Sequence, residues 1–319
     1  TGSLQGLLKR DEMGPASFDL FVETVDVGDF VELAGKLLAT KRGEKTVQTS
    51  KWRMLAKSLL PLPEKWHGLV DEEARFRKRY LDILMGSDLR ELIERKAQFW
   101  QAIRRFLSER QFIEVETPTL ELSTGGAEAN PFKTHHDDYD LDVFLRISVG
   151  ELWQKKLLAA GLPRTFEIGR AYRNEGTSPD HVQEFTNLEF YAAYMEVEEG
   201  ITLTEDLLRG LAREVFGRVV FNARGFTFEF GPGPWPRLEY VDKIKELTGL
   251  DVLVASDDEM KAKLDELGVK YTGENRERLT DTLWKYCRKQ IAGPAWVTGH
   301  PKLVSPLAKA RTDKPELTD

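Results

Sequence analysis

The sequence predicts an α+β chain, a small all-β module followed by a larger domain in which helices flank an antiparallel sheet. Three observations carry this reading. Strand-like segments at 3–9, 29–41 and 45–55 are separated by the turn residues Gly28-Asp29 and Gly43. Further on, Leu89, Leu92, Ile93, Ala97, Trp100, Ile103 and Leu107 recur at three- and four-residue steps, the spacing of one helical face. Finally, 165–173 and 186–194 alternate as strands do and are joined by a long polar loop, 174–184.

Taken in order, the first three strands predict a meander. Seven cations between Lys36 and Lys57 (Lys36, Lys41, Arg42, Lys45, Lys51, Arg53 and Lys57) face one acid, Glu44, so the module has a basic face. A solvated sheet edge guarded by lysines has the same composition. The module fits part of an oligonucleotide-binding (OB) barrel, which needs five strands; two are expected upstream of residue 1. Pro61-Leu-Pro63 ends the module, which gives 1–60 as the partial barrel and 61–86 as a charged linker with a helical tract at 72–84. The second domain, 87–319, opens with the amphipathic helix, for which Ser87 is the expected N-cap. A strand at 111–116 stops at Pro118. After the 165–194 hairpin come helices at 203–216, 237–247, 257–267 and 276–291, then a strand at 295–298. Residues 314–319 show no structure of their own, and both ends read as those of a fragment.

Composition narrows the function classes. The chain has 319 residues, 41% hydrophobic and 31% charged, with a net charge of −7. That suits about two globular domains and argues against nucleic-acid binding through overall charge. No apolar run reaches membrane-spanning length and no secretion signal is visible, so neither a membrane nor secretion is expected. The single cysteine, Cys287, cannot form an internal disulfide, which fits a reducing cytoplasm.

Chemistry concentrates on the hairpin. Along its second strand Asn187, Glu189 and Tyr191 share one face and Leu188 and Phe190 the other. On the incoming strand Arg173 is in phase with Ala171 and Gly169, small residues expected to leave room for a ligand above the sheet. A guanidinium facing carboxylates is either a structural ion pair, which spacing alone favours, or a clamp for phosphate and carboxylate. Gly125-Gly126-Ala127 permits close backbone approach or is a plain turn. His135-His136 point to opposite faces of an extended segment, which suits one structural partner better than a shared metal. His181 is a phosphate contact or an exposed loop histidine. No Walker loop, dinucleotide glycine fingerprint or nucleophile elbow is present.

The order of motifs supplies more. Phe166-Glu-Ile-Gly-Arg170-Ala-Tyr-Arg173-Asn-Glu175-Gly, then His181 and Glu184-Phe185-Thr-Asn-Leu-Glu189-Phe-Tyr191, closely resembles the second signature motif of class II aminoacyl-tRNA synthetases. The long helix, strand and Pro118 resemble the first. Gly125-Gly-Ala-Glu-Ala-Asn-Pro131-Phe132, Thr134-His-His, Leu145-Arg-Ile, Pro61-Leu-Pro-Glu-Lys-Trp-His-Gly68, Arg77-Lys-Arg-Tyr-Leu-Asp82 and Ser305-Pro-Leu-Ala-Lys309 are similar to the lysine-specific branch, the lysyl-tRNA synthetases.

That resemblance implies an N-terminal anticodon-binding barrel, a catalytic antiparallel sheet and a homodimer acting on ATP, L-lysine and tRNA(Lys) in the cytoplasm. It makes Arg173 the residue that holds the α-phosphate and the substrate carboxylate together, with Glu175 beside it. Phe185 stacks on adenine, and Glu175 and His181 hold other parts of ATP. The lysine α-ammonium is assigned to Glu151, Glu189 and the Gly125-Gly126 backbone, with Tyr191 near the side-chain ammonium; Gln5 matches a base-contacting position of the barrel. Val149-Gly150-Glu151 holds one residue more than the family pattern, which leaves the register of Glu151 open by one. The family's Mg2+-binding acids, its carboxylate for the lysine side chain and its third motif have no match before Asp319, so no metal ligand is expected in this chain and the chain alone is expected to be nearly inactive.

Three rivals share parts of this pattern. The synthetase paralogue that attaches lysine to a translation factor lacks the barrel. Asparagine and aspartate enzymes fit Gly125-Gly126-Ala127 and His135-His136 less well. A non-catalytic synthetase-like protein that binds RNA or regulates a partner would keep the second motif as scaffold.

Overall fold

A computed structural model describes residues 3–63, 69, 71–86, 88–178 and 181–318. The expected cap Ser87, residues 64–68 of the Pro61 motif and Asp180 beside His181 lie outside the described residues. The chain forms two compact units, Thr1–Glu94 and Arg95–Asp319.

In the first unit the strands Gln5–Leu8, Lys45–Ala56 and Phe30–Ala39 form one open sheet with Lys45–Ala56 in the centre. The expected meander is wrong: Gln5–Leu8 runs parallel to Lys45–Ala56, and only the Phe30–Ala39 pairing is antiparallel. A parallel pair needs a crossover, and the intervening chain supplies it with the helices Arg10–Met13 and Pro15–Thr24, to which the sequence reading assigned no element. Pro15 starts the second of these at a position where its missing N–H costs nothing. Phe21 meets Trp52 edge to face, centroids 5.0 Å apart, and the Trp52 indole donates to the Ser17 carbonyl at 3.0 Å. Among the described residues there is no closed barrel. The expected helix at 72–84 is two, Glu72–Arg77 and Arg79–Met85, broken at Lys78 (φ −114°, ψ 50°).

In the second unit the hairpin is the organising element. Arg164–Tyr172 pairs antiparallel with Glu184–Ala192, and Ile113–Glu114 adds a parallel strand on the other side. The returning strand thus begins two residues earlier than its expected 186 start. Phe166, Ile168, Leu188 and Phe190 occupy one face and pack against Leu107 of the helix Asp88–Glu109 and Leu207 and Leu211 of the helix Val197–Phe216. That last helix starts at Val197 rather than 203, because Glu196 and Glu199 form a capping box ahead of the apolar face. The opposite face of the hairpin carries the polar residues.

A second core gathers Tyr240, Ile244, Met260, Leu264, Leu279, Leu283 and Cys287 from the helices Tyr240–Thr248, Asp257–Glu266 and Arg276–Cys287. Residues 237–239 are a strand, Arg237–Glu239, parallel to Trp296–Thr298, and not the start of a helix. The expectation for 314–319 is corrected as well: Leu317–Thr318 pairs with His300–Pro301, and Leu317 is buried in this core. An apolar side chain with a core to enter orders a stretch that has no local signal.

Candidate active site

Cross-strand pairing fixes what shares the polar face. Thr165, Glu167, Gly169 and Ala171 stand opposite Tyr191, Glu189, Asn187 and Phe185. At about 3.3 Å per residue, Phe185 and Glu189 lie on the order of 13 Å apart along the strand.

Glu189 is the hub at one end. Its Oε1 accepts from the Val149 backbone N–H at 2.8 Å and from Asn187 Nδ2 at 3.1 Å, and its Oε2 accepts from the Tyr191 hydroxyl at 3.3 Å. Burial, then the charges of Glu189 and Glu151, push the Tyr191 phenol well above its usual range, so it stays a hydrogen-bond donor. Gly126 (φ 88°) brings its backbone against Ser148 and Glu151; a Cβ there would collide with Ser148 Oγ. Ser148 Oγ donates to the Gly125 carbonyl at 3.0 Å, which anchors the glycine loop. Glu151 is the first residue of the helix Glu151–Ala159 and pairs with Lys155 one turn on at 2.6 Å. The residue before it, Gly150, takes a left-handed conformation (φ 70°) just outside the helix. Gly125, Gly126, Glu151, Glu189 and Tyr191 are therefore neighbours.

The other end is a cleft of about 440 Å³ lined by Arg173, Glu175, Gly176, His181, Val182, Gln183 and Phe185. The Arg173 guanidinium lies 5.1 Å from the Phe185 ring centre, and its Nε donates to the Ile147 carbonyl at 3.3 Å. Among the described residues it makes no ion pair, so the structural ion pair that spacing favours is not what the fold builds. The Glu175 carbonyl accepts from Gln183 Nε2 at 3.1 Å, and Ser178 Oγ and His181 Nδ1 lie 2.7 Å apart. Gln5 belongs to the first unit, where its side-chain oxygen accepts from Thr46 Oγ1 at 2.8 Å. The adjacent histidines diverge: His135 Nδ1 lies 3.0 Å from Asp142, and the His136 ring lies against Tyr139.

The sequence reading missed the polar layer that supports this face. Arg146, almost fully buried, donates to Glu167 Oε1 at 2.6 Å, to the Arg170 carbonyl at 2.8 Å and to the Thr117 carbonyl at 3.2 Å. Thr117 Oγ1 donates to Glu167 Oε2 at 2.6 Å. The space above Gly169, expected to be open to a ligand, holds the Arg146 guanidinium instead. A charged residue inside Leu145-Arg-Ile, and Glu167 in phase with Gly169, were the available signals.

Among the described residues no group of three or more His, Cys, Asp or Glu side chains converges to hold a metal ion.

Residues 71–319 match the family model for tRNA synthetases class II (D, K and N). The chain belongs to that family. Members similar to it include the lysine--tRNA ligases of Thermotoga maritima (39% identical over 319 residues), Roseiflexus castenholzii (41% over 324) and Staphylococcus aureus (39% over 321). Each alignment covers the whole of this chain and 63–65% of the relative, so the chain spans just under two thirds of the curated synthetases it matches. Among the described residues no helix is long and apolar enough to cross a membrane.

Proposed function

We propose that the chain is the lysine- and ATP-binding part of a lysine--tRNA ligase, which activates L-lysine to lysyl-adenylate and passes the lysyl group to tRNA(Lys). The observation that carries this reading is the single hairpin face with an acid and phenol cluster at one end and an arginine over a phenylalanine ring at the other. Two carboxylates, Glu151 and Glu189, suit an ammonium substrate, and a protonated Tyr191 beside them adds a polar neighbour for the lysine side chain. Gly125 and Gly126 contribute backbone to the α-ammonium. Phe185 offers its ring to adenine, while Glu175 and His181 hold other parts of ATP.

The lysine carboxylate then attacks the α-phosphorus, the bond to the bridging oxygen breaks and pyrophosphate leaves. Arg173 bridges the attacking carboxylate and the α-phosphate as negative charge gathers there, a task suited to a planar two-pronged donor. In the second step the tRNA 3′ end displaces AMP from the acyl carbon. Mg2+ would bind the ATP phosphate oxygens in this reaction and offset their charge.

The same reading takes 1–60 as a partial OB-type anticodon-binding domain with Gln5 toward the tRNA, 61–86 as linker and 87–319 as catalytic domain. It makes the enzyme a cytoplasmic homodimer. Titration calorimetry of L-lysine into the 319-residue chain, and lysine-dependent ATP–pyrophosphate exchange by the product of the complete reading frame, test it. Lysine preferred over aspartate and asparagine supports the reading, and indifference among the three sinks it.

A further inference from the structure

Gln154 lies in the helix that begins with Glu151, is fully buried and yet is polar at its tip. Its Nε2 donates to the Val149 carbonyl at 3.0 Å and lies 3.4 Å from the Glu189 carbonyl, and its Oε1 accepts from Thr165 Oγ1 at 3.0 Å. One side chain thereby ties together the helix carrying Glu151, both strands of the hairpin and the Val149 peptide. Val149 is thus held through both of its backbone polar groups: its carbonyl by Gln154, and its N–H by the carboxylate of Glu189. A buried amide with all these partners is satisfied at this one position, and sliding the helix by a residue would strand several polar groups at once.

We infer that Gln154 is a positioning residue of the amino-acid site, setting Glu151 against Glu189 through the Val149 peptide. The inference rests on the lysine reading for its substrate and on geometry alone for its structural part. An apolar residue of similar length at 154 leaves the Thr165 hydroxyl and the Val149 carbonyl unmet, and the segment carrying Glu151 loosens. Removing the Thr165 hydroxyl as well takes away one of the orphaned groups.

The test compares Gln154→Leu with Gln154→Leu/Thr165→Val. Hydrogen exchange in the 319-residue chain reads the structural part without any ligand: Gln154→Leu should speed exchange at 149–152 about ten-fold or more over the helix Val197–Phe216, and the double variant should recover part of it. In the product of the complete reading frame, Gln154→Leu should raise the KM for lysine about ten-fold in pyrophosphate exchange and leave the KM for ATP within about two-fold. Uniform loosening of the whole chain, or equal changes in both KM values, would overturn the assignment in favour of a general packing role. If the product of the complete reading frame shows no lysine-dependent exchange, the lysine reading falls, and the hydrogen-exchange pattern of the 319-residue chain still decides whether Gln154 sets this segment.

Discussion

The guanidinium of Arg146 fills the space that a side chain on Gly169 would need, with Glu167 holding it there from the same face of the hairpin. A glycine that looks like a vacancy in the sequence is the seat of a buried cation. Gly169→Ala should therefore destabilise the second unit by about 1–3 kcal/mol, the usual cost of overpacking. Urea denaturation with an unchanged slope is the measurement, and a neutral result would mean that Arg146 does not sit there.

The buried pair itself gives a second expectation. Arg146→Met strands the Glu167 carboxylate and should cost about 3–5 kcal/mol, whereas Arg146→Met/Glu167→Met should recover much of that loss. Thermal unfolding of the two variants separates the outcomes; equal losses would show that the two residues do not act as a pair.

Arg173 touches a carbonyl and a ring, so its removal should spare the fold. Arg173→Ala should lower adenylate formation by about 100-fold or more and shift the melting temperature little, and Arg173→Lys should rescue poorly because a point charge does not make the two-pronged contact. Single-turnover adenylate formation checks this. Near-normal activity in either variant would remove Arg173 from its proposed role.

At the other end, Glu189→Gln keeps the shape of the hub but loses its charge, and should weaken lysine binding about 10- to 100-fold by calorimetry. Tyr191→Phe should have a smaller effect that does not vary between pH 6 and 9, since its phenol is held above that range. A Tyr191 contribution that vanishes toward pH 9 would contradict the buried, protonated phenol.

The first unit carries an acid-sensitive tie. The backbone N–H of Asp26, the Lys57 ammonium and the Ser58 N–H together hold the Asp29 carboxyl down to about 2, from an ordinary 3.8. A lowered value means that the stabilisation is fully present above about pH 4 and fades as the pH falls toward 2. Asp29→Asn should therefore destabilise the unit at pH 7, with a gap from the parent that narrows steadily below pH 4. Denaturant melts across that range decide it, and a gap independent of pH would point to lost shape rather than lost charge.

Much of the site's frame was legible because alternation is local. Leu188 and Phe190 had to face a core if Glu189 and Tyr191 faced water or a ligand, and the hairpin obeys. The partners of Arg146, Glu167 and Gln154 were not legible, since a buried polar residue is explained only by groups distant in the chain: Thr117 lies fifty residues from Glu167. In the first unit the turn residues suggested neighbours in sequence order, while the Pro15–Thr24 helix carries the chain across and makes Gln5–Leu8 parallel to Lys45–Ala56. The loop at Gly125-Gly126 lay between, its flexibility readable but its anchoring to Ser148 not.

Gly150 has a consequence for how such a site tolerates change. One residue inserted within a helix turns everything beyond it by about 100° and would swing a carboxylate to the far side of its axis. Gly150 lies in a left-handed step just ahead of the first turn, a bend outside the helix, and Glu151 heads from it toward Gly126. A residue added in that bend would lengthen the rim of the pocket and leave the direction of its charge unchanged, where the same residue inside the helix would turn it away.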